Sequence, residues 1–144
     1  MTTVISTQSG AQMELSADAL SQLRMQLRGE ALTPADEGYA HSRVPFNAMH
    51  PDRPGLIVRC IGTSDVMAAV TFARERSIQL AVRGGGHSVA GLSSSEGGMV
   101  IDLSLMRGVS CDVESRTARV QGGALWGDVD RETQVFGLAV PSHR

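Results

Sequence analysis

The chain has no lysine: its thirteen basic residues are all arginine. That reflects coding bias more than chemistry, although arginine does suit phosphate and carboxylate contacts. Positive charge is not in excess either. The net charge is −2 with histidine neutral, which gives no electrostatic reason to expect nucleic acid or an anionic membrane as partner. Cysteine is scarce. Cys60 and Cys111 form no CxxC pair, and His41, His50, His87 and His143 do not stand at zinc-type spacing from them, so no metal site is expected. Two isolated thiols point to a reducing compartment. Met1 to Gln12 lacks a basic start followed by an apolar stretch, so a secretory leader is not expected. No run approaches the roughly 18 apolar residues of a membrane span. The default expectation is a cytoplasmic protein. Aromatics are limited to Tyr39, Phe46, Phe72, Trp126 and Phe136.

Glycine is abundant. There are sixteen, and most of them fall between Gly84 and Gly127. Glycine is used where backbone takes positive φ or must approach something closely. The length of 144 residues, with 42% hydrophobic and 19% charged residues, suits one globular domain able to bury a core.

The N-terminal fifteen residues show weak periodicity and are expected to be loose or a short strand. Ser16 can cap a helix over Ala17 to Arg28, with Leu20, Leu23 and Leu27 as its apolar stripe and Gly29 as terminator. Ala31 to Pro54 is turn-rich, with prolines at 34, 45, 51 and 54. Leu56 to Cys60 is a short strand. A helix capped by Ser64 follows from Asp65 to Arg76, with Val66, Ala69, Val70 and Ala73 on one face, and then a strand over Leu80 to Arg83. Such a strand–helix–strand unit implies a right-handed parallel crossover. Strands are also expected at Met99–Leu103, Val109–Asp112 and Thr117–Gln121, the last two as a hairpin turning at Glu114-Ser115. A helix is expected over Leu125 to Phe136, with Leu125, Val129 and Val135 or Phe136 inward. Leu138 to Pro141 begins one more extended segment, so the chain reads as stopping inside a structural unit.

The segment with the most chemistry is Arg83-Gly84-Gly85-Gly86-His87-Ser88. Three glycines directly after a strand leave backbone N–H groups unshielded, and such a loop can form a nest of donors for phosphate oxygens. Arg83 adds charge beside it and Ser88 a hydroxyl; a nucleotide pyrophosphate is the natural ligand. No Gly-Lys-Ser/Thr follows, so this is not a Walker loop, and Val89 at the third glycine position excludes the Rossmann fingerprint. The competing reading is a turn built of glycine for steric reasons. His87 reads either as a surface hydrogen-bonding residue or, as a neutral imidazole, as a nucleophile toward an electrophilic cofactor carbon.

Ala81-Val82-Arg83-Gly84-Gly85-Gly86-His87-Ser88-Val89-Ala90-Gly91 resembles the first signature of the FAD-linked oxidases, which share the fold of para-cresol methylhydroxylase and vanillyl-alcohol oxidase. The bacterial berberine-bridge-enzyme-like branch matches best. Met99 to Ser104 with Met106 to Val109, Ala118 to Ala124 with Trp126 to Val129, and Gly137 to Pro141 resemble its next motifs, in order, and Pro54 to Arg76 its opening unit. The resemblance covers about residues 43–141. It implies an α+β fold class: the N-terminal part of a two-subdomain FAD-binding fold, with a small β-α-β sheet followed by an antiparallel-containing sheet and a helix. Residues 1–42 would be a helical and irregular lead-in, and 43–144 a partial FAD-binding domain. FAD is the implied cofactor, bound through Arg83, Gly84, Gly85, Gly86, His87 and Ser88, with His87 bonded to the 8α methyl of the flavin. Gly91 and Leu92 would lie beside the ring. Gly122 and Gly123 read equally as a strand-to-helix turn or as a flavin neighbour. Asp102 is expected to satisfy local backbone donors and Trp126 to pack.

The chain departs from the family at Val89, where relatives often carry tyrosine. Some relatives also add a cysteine tether after the Val-Pro segment; here Ser142-His143-Arg144 follows, and Cys111 is elsewhere. The catalytic base and substrate pocket belong to parts of the family chain that this sequence lacks, so no catalytic residue is assigned. Three readings follow: the FAD-binding portion of an oxidase that takes hydride from a small organic substrate; a non-catalytic piece, or half of a split flavoprotein needing a partner chain; or a generic nucleotide-binding module.

Overall fold

The computed structural model describes residues 2–47 and 49–141. At the N-terminus, alternation around Gly10 closes a hairpin of β1 (Thr3–Ser6) and β2 (Gln12–Leu15), where a loose segment or single strand was expected. Ile5 and Leu15 anchor it by entering the core.

Ser16 caps α1 (Ala17–Gln26) by accepting the Ala19 N–H at 3.2 Å. The helix ends earlier than the pattern predicts. The N–H groups of Arg28 and Gly29 instead go to the Asp65 carboxylate at 3.0 and 3.1 Å, and the chain turns into β3 (Glu30–Leu32). This strand and α2 (Tyr39–Ser42) lie in the stretch expected to be irregular. Elements of three or four residues are too short to show periodicity, and β3 exists because β4 (Leu56–Arg59) offers it an antiparallel ladder.

Next come α3 (Thr63–Glu75), β5 (Leu80–Arg83) and β6 (Met99–Asp102). The sheet order is β3-β4-β6-β5, with β4, β6 and β5 mutually parallel. β6 therefore enters between the two strands that α3 connects. Leu56, Val58, Met99 and Ile101 face α1 and α3 across the main core, while Ile57, Val100, Ala81 and Tyr39 form a smaller cluster on the opposite face. Burial on both faces explains the unbroken apolar runs of β4 and β6.

Two helix details differ from the pattern. Gly62, not Ser64, is the N-cap of α3, and Asp65 reaches back to accept the Ile61 N–H at 2.9 Å. Phe72 is buried in place of Val70, which is exposed; the Arg76 guanidinium lies 4.1 Å above the Phe72 ring. The lead-in is not a separate layer, because β3 belongs to the sheet and Leu23 to its core.

The remainder is β7 (Val109–Asp112), β8 (Thr117–Val120) and α4 (Trp126–Gln134). The hairpin turns where Asp112 accepts the N–H groups of Glu114 and Ser115. Only Val129 and Thr133 of α4 are buried; Leu125, Val135 and Phe136, expected inward, are exposed. The short hairpin is too small to cover more of the helix. Ser142, His143 and Arg144, which follow the Val-Pro segment, lie outside the described residues.

Candidate functional site

The parallel register places Arg59, Asp102 and Arg83 side by side at the carboxyl ends of β4, β6 and β5. Loops leaving the carboxyl ends of parallel strands, where connections diverge, are the usual ligand-binding edge of such sheets. The glycine loop leaves from this edge.

Arg83 turns inward. It is buried, pairs with Asp102 Oδ2 at 2.7 Å, and donates to the carbonyls of Ser42 and Arg43. Asp102 Oδ1 accepts the Ser104 N–H at 2.8 Å, so Asp102 does satisfy a backbone donor but also neutralises a buried cation. The guanidinium expected beside a phosphate is thus committed to the protein.

The following backbone is not committed. Among the described residues, none of the N–H groups of Gly84, Gly85, Gly86, His87, Ser88, Val89 and Ala90 finds an acceptor. Pairing resumes at Gly91, whose N–H goes to Ser88 O at 3.3 Å, and at Leu92, whose N–H goes to Ser88 Oγ at 3.0 Å. Folded chains pair nearly all such groups or leave them for water and ligands. A row of donors at the end of a strand matches the requirement of an anionic pyrophosphate.

A segment that the sequence did not mark lies against this loop. Asn47 donates from its backbone to Gly86 O at 3.3 Å and from Nδ2 to Ser88 O at 3.2 Å, and His50 Nε2 lies 2.9 Å from Val89 O. The approach needs glycine at position 86, which has φ +71°; a Cβ there would sit 2.9 Å from Phe46 N. The Phe46 ring lies 4.3 Å from the imidazole of His87, tilted by 39°. Isolated prolines and a lone aromatic carried no signal that could have found this strap.

The other expected positions divide. Gly122 meets Gly84: a Cβ on Gly84 would strike the Gly122 carbonyl oxygen, so the turn after β8 also borders the loop. Gly123 donates its N–H to Met106 O at 3.0 Å and packs on Leu103. Gly91 abuts the His50 ring, and Leu92 is exposed. A cavity of about 190 Å³ at the strand ends is lined by Ser42, Phe46, Arg59, Gly84, Gly85 and Asp102. A larger apolar groove of about 510 Å³ lies elsewhere, between β8, α4 and Ala139–Pro141. It contains no residue of the glycine loop and has apolar walls unsuited to a phosphate.

The thiols are poor candidates. Burial pushes Cys60 up to about 12, with the nearby charge of Asp65 adding to the effect, so it stays protonated. Cys111 is half-buried in β7, far along the chain from any tether position. Trp126 is about half-exposed and lines the apolar groove. Among the described residues no cluster could hold a metal, and no helix is long and apolar enough to cross a membrane.

An open donor loop at the carboxyl edge of a parallel sheet is the arrangement expected of a nucleotide-cofactor-binding domain. The FAD binding domain family matches residues 54–143, and the chain belongs to that family. It is 36% identical over 115 residues to (R)-6-hydroxynicotine oxidase of Paenarthrobacter nicotinovorans, covering 80% of this chain and 25% of that protein. Berberine bridge enzyme-like 8 of Arabidopsis thaliana is 39% identical over 88 residues, covering 58% of this chain and 17% of that one. The solved structure of 6-hydroxy-D-nicotine oxidase from Arthrobacter nicotinovorans superposes with a TM-score of 0.72 at 35% identity, over 77% of this chain and 24% of that one. A glucose dehydrogenase, the Phl p 4 N158H variant, gives 0.74 at 26% identity, over 83% and 27%. The chain spans about a quarter of the length of the first of these relatives. The family, the α+β fold and FAD as cofactor thus agree with the expectations from the motifs.

Proposed function

We propose that this chain is the FAD-binding portion of an oxidase, with the amides of Gly84 to Ala90 holding the cofactor pyrophosphate and His87 as its covalent tether. The observation that carries this reading is the row of N–H groups that find no acceptor among the described residues. Ser88, Gly91 and Gly122 border the same loop and shape its rim. Arg83 acts from behind, holding the loop's base to the Ser42–Arg43 carbonyls rather than touching phosphate. FAD supplies hydride acceptance from an organic substrate; the chain's residues bind and orient it.

His87 is exposed, and among the described residues neither of its ring nitrogens has a hydrogen-bond partner. His87 would hold the cofactor through an imidazole nitrogen, and FAD would supply the redox chemistry.

A second reading draws on the apolar groove lined by Leu125, Trp126 and Val140. Its exposed walls suit further polypeptide, whether more of the same chain or a partner, carrying the substrate pocket and catalytic base. A cytoplasmic setting and a small organic substrate complete the proposal.

The test is absorbance of the purified chain before and after acid precipitation. Yellow colour that stays with the pellet is expected, and His87→Ala should release it. A colourless chain that takes up no added FAD would sink the cofactor role for this chain alone. Colour retained in His87→Ala would place the tether elsewhere.

A further inference from the structure

We propose that Phe46 is a positioning residue for His87, fixing the imidazole so that one nitrogen is presented for bond formation with the flavin. The inference rests on the reading of His87 as tether.

A nucleophilic histidine is ordinarily oriented by a hydrogen bond on its other ring nitrogen. Among the described residues His87 has none. Its ring is flanked by the backbone of Gly85, where a Cβ would sit 2.6 Å from Cδ2, and by the side chain of Phe46, at 4.3 Å between centroids. Phe46 is 74% exposed, so the core does not account for its place. Its place is held by polar contacts on either side. Upstream, the buried Arg83 clamps the carbonyls of Ser42 and Arg43. Downstream, Asn47 bonds to Gly86 O and Ser88 O, and His50 to Val89 O. Because a Cβ at Gly86 would collide with Phe46 N, the strap and loop meet at backbone distance, which brings the two rings together. Loop and strap lie about 40 residues apart in sequence, so this pairing is made by the tertiary structure alone. An exposed imidazole otherwise samples several rotamers; a neighbouring ring removes most of them.

The experiment uses the full chain with FAD as probe. The rate at which acid-precipitable flavin forms is compared for the unsubstituted chain, Phe46→Ala, Phe46→Leu and Phe46→Tyr. Noncovalent FAD affinity is measured separately in His87→Ala and in the His87→Ala/Phe46→Ala double variant. Loss of the aromatic pair is expected to slow tethering about tenfold in the Ala and Leu variants. Phe46→Tyr should restore it, and the affinity should not change. Since Phe46 is exposed, its removal opens no core; should Phe46→Ala fail to fold, Leu against Tyr carries the same contrast. Tethering of Phe46→Ala and Phe46→Leu at the unsubstituted rate would overturn the inference alone. So would a slower rate matched by an equal loss of FAD affinity, since Phe46 would then serve the binding surface. An unsubstituted chain that forms no acid-stable flavin overturns the tether reading and this inference together.

Discussion

The two halves of the molecule use strands of the same length for opposite ends. In β4 and β6, Leu56, Ile57, Val58, Met99, Val100 and Ile101 are all fully buried. In β7 and β8 no residue is buried, although the ladder is complete. Backbone pairing alone therefore does not distinguish a stable unit from a marginal one; coverage of the faces does. The glycine loop sits on the well-covered half, while its rim at Gly122 belongs to the exposed one.

The sharpest way to break this contrast is at the base of the loop. Asp102→Ala leaves the Arg83 cation buried without its partner and should cost ~3–5 kcal/mol, read by urea unfolding. A loss under about 1 kcal/mol would mean that water reaches Arg83 and that the pair is not a buried anchor. Matched truncations come next. Ile101→Ala in β6 should cost ~2–5 kcal/mol, whereas Val120→Ala in β8 should stay within ~0.5 kcal/mol. Equal costs would erase the distinction between the halves.

Asp65 gives a pH-dependent version. Burial alone would raise its pKa, but the N–H groups of Arg28, Ile61 and Gly29 outweigh that and hold it below the usual carboxylate range. A lowered folded pKa contributes stability that is present above about pH 4, the unfolded value, and is lost as pH falls through the folded one. Asp65→Asn should cost ~2 kcal/mol at neutral pH and flatten the acid limb of the stability profile. An acid limb unchanged from the unsubstituted chain would assign it to other carboxylates.

Thiol labelling is the gentlest probe. Cys111, half-buried in the hairpin, should react with a maleimide under native conditions, while Cys60, buried and held near 12, should react only on unfolding. Equal rates would show that the sheet opens as readily as the hairpin.

The elements with strong local signals were legible. Ser16 and the Leu20–Leu23–Leu27 stripe marked α1, and apolar runs marked β4, β5 and β6. β3 and α2 were not, because three or four residues among prolines acquire their structure from a neighbour. The glycine loop was visible as a motif, and the open amides beneath it are consistent with that motif's chemistry. Arg83 shows where residue type misleads: an arginine beside a phosphate loop suggests a ligand contact, yet the row Arg59–Asp102–Arg83 turns it into a buried clamp.

By itself, the order of residues determined the strands, most helices and the family, since these depend on neighbours within a few positions and on motifs in register. Tertiary structure decided what surrounds the loop. Phe46 on His87, Asn47 on Ser88 and Gly122 against Gly84 join residues about 40 positions apart. No local propensity encodes such pairs. They follow only once β6 has entered between β4 and β5 and set the height at which each loop leaves the sheet.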